Sequence, residues 1–410
     1  MLCADKDGVR KFDHIYTKPW GEILNRKTEL EEITHTGGKV NFNIKIDADG
    51  RIAYNVGLTH SRPTPAALFA VYAIPQGVAV HDIKMGGIGT PWNPPPLPDC
   101  FPVFISSDST GMFGHQCPSC NGYWRAGLGG KICPYCAFTA DEYYHFLTDA
   151  QQRYVRQYCE VLSNALASGQ SGEHIIDMDS VAEAAGKDCE KPAFYYAEER
   201  QQNLFTCNAC GKVNDVLGTY AYCSSCGTRN DLQELEKNIQ QIRDRINAGG
   251  PYETCVKETV AIFDSFAGHY AKQLLTRVPL TPARKAWIEK SHFHNIGTVS
   301  EMFRKVFDID VLSSIDSEDV SFGTLMFHRR HVYEHKGGEA DEKYITDSGD
   351  SVRLKQALRE TKETAHRTAN FITKIATNLH KGFHEIFPPL EEPIKPVSYT
   401  HLTLPTIYSV

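Results

Sequence analysis

The sequence predicts a multidomain α+β protein: a β-rich unit at the N-terminal end, two small four-cysteine modules in the middle and an all-α bundle at the C-terminal end. Three observations carry this. Apolar and polar residues alternate in the first hundred positions, four Cys-x-x-Cys pairs recur at one spacing, and the last third repeats its apolar residues every three or four positions. At 410 residues, 41% hydrophobic and 23% charged, the chain is long enough for several compact units and ordinary in composition.

The β-rich unit is assigned to residues 1–100. Val40, Phe42, Ile44 and Ile46 alternate with polar residues, as do Ile52, Tyr54, Val56 and Leu58, and the intervening Asp47-Ala-Asp-Gly50 reads as a hairpin turn. The same four residues resemble the opening of a calcium loop, but no bidentate glutamate follows at the required distance and strands flank them. Lys84-Met-Gly-Gly-Ile-Gly89 fits neither the P-loop nor the dinucleotide fingerprint, and Trp92-Asn-Pro-Pro-Pro96 favours an extended connection.

In the middle, Cys117-x-x-Cys120 is followed after twelve residues by Cys133-x-x-Cys136, and Cys207-x-x-Cys210 after the same twelve by Cys223-x-x-Cys226. Each pair brings two thiolates to one ion, and the excursion between pairs can fold as a hairpin that completes a tetrahedron. The pattern predicts two zinc ribbons, at 101–140 and 201–230, each holding one structural Zn2+ with no open coordination position. Redox use of the pairs would need a thioredoxin-like βαβ setting, which the repeated spacing disfavours. The other five cysteines, Cys3, Cys100, Cys159, Cys189 and Cys255, have no partners at ligand spacing and are expected to act as small buried hydrophobes.

A helical linker is expected at 141–200, with a helix from Asp141 to Ala167 ended by Ser168-Gly-Gln-Ser-Gly172. A connecting helix follows at 231–250, capped by Asn230-Asp231 and striped by Leu232, Leu235, Ile239, Ile242 and Ile246, before Gly249-Gly250-Pro251 breaks it. The all-α region, 251–396, should hold helices near Glu253–Arg277, Asp319–His335 and Ser351–Phe387, with a shorter one near Val299–Phe307. The last of the long helices carries Leu354, Leu358, Ala365, Ala369, Ile372, Ile375 and Leu379 as its apolar face.

Charge sets limits on partners. The net charge is −7, and residues 101–250 carry 12 basic against 18 acidic residues, so no basic block would hold nucleic acid by charge alone. The longest apolar stretch, Ala66 to Pro75, is half what a membrane span needs, and no basic-then-apolar leader precedes it; a soluble, cytoplasmic protein is expected. Residues 397–406, Val-Ser-Tyr-Thr-His-Leu-Thr-Leu-Pro-Thr, match the translation of a transposase sequencing adapter. Residues 397–410 are therefore expected to be a sequencing-adapter artefact, with the gene truncated near Pro396.

The chemistry-bearing segment is Phe327-His-Arg-Arg-His-Val-Tyr-Glu-His335, late in an expected helix and followed by Lys336-Gly-Gly338. Arg330-His331-x-x-x-His335, with the helices around it, resembles the HEPN superfamily over about residues 251–388. Many members of that family are all-α ribonucleases that dimerise and carry Arg, a polar residue and a later His near a helix end. The resemblance implies a HEPN-like bundle acting as a metal-independent endoribonuclease on an RNA substrate, with Arg330 and His335 catalytic and His331 as the polar second position. It implies a homodimer, in which two such motifs face each other, and a toxin or antiviral defence effector whose protein or nucleic-acid trigger the ribbons would bind.

The residue types suit that work: imidazole exchanges protons near neutrality, and guanidinium offers forked donors to phosphate oxygens. Two other readings stand beside it. His331 and His335 could pair on a metal, although Val332 stands where the zinc metalloprotease motif needs Glu. Alternatively, the protein is a non-catalytic scaffold whose ribbons bind nucleic acid or protein and whose helical domain dimerises.

Overall fold

A computed structural model describes residues 39–46, 48–49, 52–59, 68–84, 100–107, 111–167, 171–186 and 201–394. The glycine-rich Met85–Gly89 segment, Trp92–Pro96, Cys3, Cys189 and the 397–410 tail lie outside the described residues. The chain divides into two units, one of residues 1–218, 222–226 and 392–410 and one of residues 219–221 and 227–391.

In the first unit the chain forms β1 (Lys39–Ile46), β2 (Ile52–Thr59), β3 (Leu68–Ile74), β4 (Val78–Lys84), β5 (Phe101–Ser106), β6 (Phe113–Gln116) and β7 (Tyr123–Ala126). Helix α1 (Asp149–Ala167), β8 (Gly172–Asp177), α2 (Met178–Ala185), β9 (Asn203–Thr206) and β10 (Val213–Val216) follow. The strands assemble into sheets of order β2-β1-β8, β4-β3-β5 and β6-β7-β10-β9. The expected hairpin is present: β1 and β2 pair antiparallel with Ile46 opposite Ile52, and Ala48 and Asp49 turn between them.

Strand β3 reads Leu-Phe-Ala-Val-Tyr-Ala-Ile, an unbroken apolar run rather than an alternating one, and this suits a strand covered on both faces. Phe69, Ala70, Val71, Tyr72 and Ala73 are all buried, with β4 and β5 as flanking strands. Helix α1 covers this sheet through Tyr154, Val155, Tyr158, Cys159 and Leu162. Gly77, in the β3–β4 turn at φ +78°, is required there because a Cβ would sit 2.4 Å from Arg156 Cα of α1.

The sheets reach beyond residue 100. Strand β5 completes the second sheet, and β8, inside the stretch expected to be a helical linker, pairs with β1 so that Lys39 faces Asp177. Its sequence, Gly-Glu-His-Ile-Ile-Asp, contains too few alternating residues to announce a strand; the pairing partner more than a hundred residues away is what holds it extended. Likewise α1 begins at Asp149 rather than Asp141, after a short 3-10 turn at Tyr143–Phe146.

The second unit contains α3 (Asp231–Asn247), α4 (Tyr252–Arg277), α5 (Pro282–Lys290), α6 (Ile296–Phe307), α7 (Ser317–His335), α8 (Glu342–Ser348) and α9 (Lys362–Ile386). Helices α4 and α9 pack on each other and on α3, and α7 packs on α4. In α9 the buried positions Ala365, Ala369, Ile372, Ile375, Ala376, Leu379 and Phe383 fall at spacings of one, three and four. Each large aliphatic side chain there contributes roughly 1.5–3 kcal/mol by leaving water. Gly323 of α7 lets α9 approach: a Cβ would fall 2.2 Å from the Phe371 ring.

The expected helix from Ser351 starts only at Lys362. Thr361 and Thr364 form a reciprocal capping box, which satisfies the first free amides and sets the start. Before it the chain is irregular, leaving Leu354 exposed while Leu358 is still buried. Helices α5 and α8, which periodicity did not reveal, begin at Thr281 and Asp341 caps. The predicted stop of α7 is present, with Gly337 and Gly338 both in the left-handed region and the amides of Lys336 and Gly338 donating to Val332 O.

Candidate functional site

The four Cys-x-x-Cys pairs are built alike. In each, the residue after the second cysteine takes a left-handed conformation: Asn121 at φ 58°, Ala137 at 58°, Gly211 at 73° and Gly227 at 79°. That reversal folds the chain back, so Asn121 N donates to Cys117 O, Ala137 N to Cys133 O and Gly211 N to Cys207 O. For Ala137 the conformation costs about 1–2 kcal/mol, which something else in the knuckle must offset.

Within each ribbon the four sulfurs converge. Cys117 and Cys136 Sγ are 3.6 Å apart, as are Cys120 and Cys133; Cys207 and Cys226 are 3.7 Å apart, and Cys210 and Cys223 3.5 Å. A tetrahedral ion with metal–sulfur bonds of about 2.3 Å would have sulfur–sulfur edges of about 3.8 Å, so both clusters fit such an ion closely. Burial pushes the Cys117 thiol up to about 11 and raises Cys133 further. Cys136 of the same cluster is instead lowered, and it is the mutual repulsion of four thiolates in so small a volume that a cation among them would offset. Amide donors supplement it: Tyr135 N reaches Cys133 Sγ, Ser225 N reaches Cys223 Sγ, and the Asn214 amide also reaches Cys223 Sγ. Among the described residues these two groups are the ones able to hold a metal ion with three or more ligands. The solitary cysteines Cys100, Cys159 and Cys255 are buried, as expected.

The ribbons are not separate modules. Strand β7 of the first pairs antiparallel with β10 of the second, Asn214 opposite Ala126 and Asp215 opposite Arg125, making one four-stranded sheet. The knuckles are bonded too, with Ile132 N donating to Ser224 O and Tyr222 N to Pro134 O. Tyr135 links both, its hydroxyl donating to Tyr123 O and accepting from Leu217 N.

In the second unit, the two adjacent arginines of α7 have opposite fates. Arg329 points inward and is held by Asp350, by Glu360 and by the Tyr344 hydroxyl, while Tyr333 donates to the same Glu360. Glu360 has no side-chain exposure at all. Arg330 is half-buried, and its Nε has no hydrogen-bond partner. His331 and His335 are exposed, one turn apart on the same face, with ring centroids 4.8 Å apart.

His331 stands among charges of both signs, the Asp341 carboxylate that caps α8 included. Its pKa is lowered by partial desolvation first, then by the charges of His335, His294, Arg330 and Lys343. Thus His331 and His335 lie ring to ring, and the charge of Arg330 bears on His331 together with those of two groups that motif reading did not single out. One is His294, in the connection before α6; the other is Lys343 of α8. The run Ser291-His-Phe-His-Asn295 was the available signal for the first, being rich in imidazole just ahead of a helix cap. Nothing local marks Lys343.

Comparison with known protein families, curated proteins and solved structures gives no match. Among the described residues, no helix is long and apolar enough to cross a membrane.

Proposed function

We propose that the protein is a zinc-ribbon protein whose helical unit is a HEPN-like, metal-independent endoribonuclease that works as a homodimer in a defence or toxin role. The observation that carries this reading is the contrast within Arg329-Arg330-His331: one arginine is consumed by buried carboxylates, and the next is free of them and adjoins an exposed pair of imidazoles. A surface of that kind attracts a phosphodiester and can move protons at it. The 2′-hydroxyl attacks the adjacent phosphorus, His335 takes its proton, and Arg330 stabilises the charge that builds on the phosphoryl oxygens.

The ribbons, with zinc as the ion their sulfurs suit best, serve as structure and as the recognition arm. Purified protein incubated with total RNA and no added divalent metal tests the enzymatic part. Wild type should leave 2′,3′-cyclic phosphate ends and spare DNA, and His335→Ala should be inactive. Cleavage that needs added metal, or that survives His335→Ala at full rate, overturns it.

The scaffold reading has one observation in its favour: Phe138, Leu204, Val213 and Leu217 of the ribbon module are exposed apolar residues. It gains ground if purified protein is dimeric, zinc-loaded and inert toward RNA.

A further inference from the structure

We propose that one flank of α5 is a docking surface for single-stranded RNA, where Trp287 stacks on a base and Arg284 and Lys290 meet the phosphates on either side. The proposal deepens the ribonuclease reading above and rests on it for the choice of RNA over single-stranded DNA. Charge demands a local surface. The chain carries a net charge of −7, so a polyanion must be held at a confined cationic patch rather than by the field of the whole molecule. Helix α5 supplies one: three of its nine residues are the cations Arg284, Lys285 and Lys290, against the single acid Glu289.

Helix geometry sorts these groups. Arg284 and Lys290 lie about 60° to either side of Trp287, one turn before it and one turn after, while Glu289 lies about 160° away around the axis. A cation–aromatic–cation row therefore shares one flank, and the acid sits on the other. Ile288, 2% exposed, anchors the helix and fixes which sides turn outward. Trp287, 36% exposed, is the one large aromatic of the helical unit that stands exposed among the described residues. Arg284, Lys285 and Lys290 are exposed and make no ion pair among those residues, whereas Arg329 of α7 and Arg367 and Lys374 of α9 are held by carboxylates. Both ends of the helix are fixed: the Thr281 side chain accepts from Arg284 N at 3.5 Å, and the Ser291 hydroxyl donates to Trp287 O at 2.8 Å.

The chemistry of the row selects its occupant. Every base offers a flat face to an indole, so stacking here tolerates any sequence. In a duplex those faces are covered by neighbouring base pairs, and the strand must therefore be single. An anionic membrane calls for a broad apolar face, and α5 presents only Trp287 as a large exposed apolar side chain because Ile288 turns inward. An acidic peptide would satisfy the cations and leave the indole face without a partner. The chain just past α5, Ser291-His-Phe-His-Asn295, offers further imidazole donors and no carboxylate; His292 and His294 are both exposed, with rings 5.3 Å apart.

Full-length, zinc-loaded protein and a short fluorescent oligothymidylate give a direct test, because DNA lacks the 2′-hydroxyl and binding is read without cleavage. Anisotropy should show binding that Trp287→Ala weakens roughly 5- to 150-fold, the loss of one stacked base, and that Trp287→Tyr largely keeps. Arg284→Gln and Lys290→Gln, at exposed positions that leave the indole in place, should each lower the slope of log K against log salt by about 0.7. A duplex of the same length should bind more weakly. Failure of wild type to bind the oligonucleotide, or wild-type affinity in both Trp287→Ala and Lys290→Gln, overturns the proposal. So does competition by polyglutamate or by phosphatidylserine vesicles that exceeds competition by the unlabelled strand. The ribonuclease reading is judged separately on RNA: binding with no cleavage brings down that reading and leaves a single-strand docking surface, whereas cleavage with unaltered binding in the α5 variants brings down the surface alone.

Discussion

Arg125 of β7 donates to the carboxylate of Asp215 on β10 at 3.0 Å, with Asp215 fully enclosed, so a buried ion pair fastens the first ribbon to the second. Gln201 N donates to the same carboxylate oxygen, and this third partner shares the desolvation cost of the charge.

Removing one member of that pair leaves the other charged and enclosed. Arg125→Ala should destabilise the first unit by about 3–5 kcal/mol, whereas replacing both residues with leucine should cost far less. Thermal unfolding of the single and double variants checks this.

The shared sheet also changes what loss of one metal does. Wild type should carry close to two zinc ions per chain, one for each four-cysteine group. Cys210→Ser should remove one ion and, because β10 pairs with β7, speed amide exchange over residues 113–126 of the other ribbon as well. Elemental analysis and hydrogen exchange read the two effects; an undisturbed first ribbon would show that the β7–β10 pairing carries no stability.

Neighbouring arginines should separate fold from function. Arg329→Ala leaves Glu360 and Asp350 without their cation and should cost about 3–5 kcal/mol of stability. Arg330→Lys should melt within a degree or two of wild type, since no carboxylate holds Arg330 among the described ion pairs. It should still lose most RNA cleavage, because an ammonium cannot reproduce the fork. Calorimetry beside a cleavage assay distinguishes them.

Acid should weaken the helical unit before it protonates ordinary carboxylates. His380 is buried against the Tyr270 hydroxyl at 2.7 Å, and burial first, then the charges of His384 and Arg229, lower its pKa to about 3; His384 is lowered as well. An unfolded histidine takes up its proton near pH 6.5 and the folded one does not, so the unfolded state binds more protons below that pH. Stability is thus full above about 6.5 and falls as the pH drops toward 3. Denaturant midpoints across that range should show the slope, and His380→Gln should flatten it.

Much of this molecule was legible as sequence because the relevant chemistry is local. A Cys-x-x-Cys pair encodes its own knuckle, since two thiolates and a left-handed reversal need only five consecutive residues, and the twelve-residue spacing repeats the result. The α3 and α9 stripes and the Gly-Gly stop of α7 are equally local, set by turns of a helix and by freedom at φ. Tertiary structure decided the rest. It joined the ribbons, because a strand's partner is chosen by contacts along the chain's whole length: Asp215 meets Arg125 across ninety residues. It recruited β5 and β8 into the N-terminal sheets for the same reason. It also chose between two adjacent arginines: burying Arg329 requires Asp350 and Glu360 to be waiting for it, and no spacing rule reveals that they are. The charges of His294 and Lys343 that bear on His331 belong to the same class, since they come from separate elements of the packed bundle.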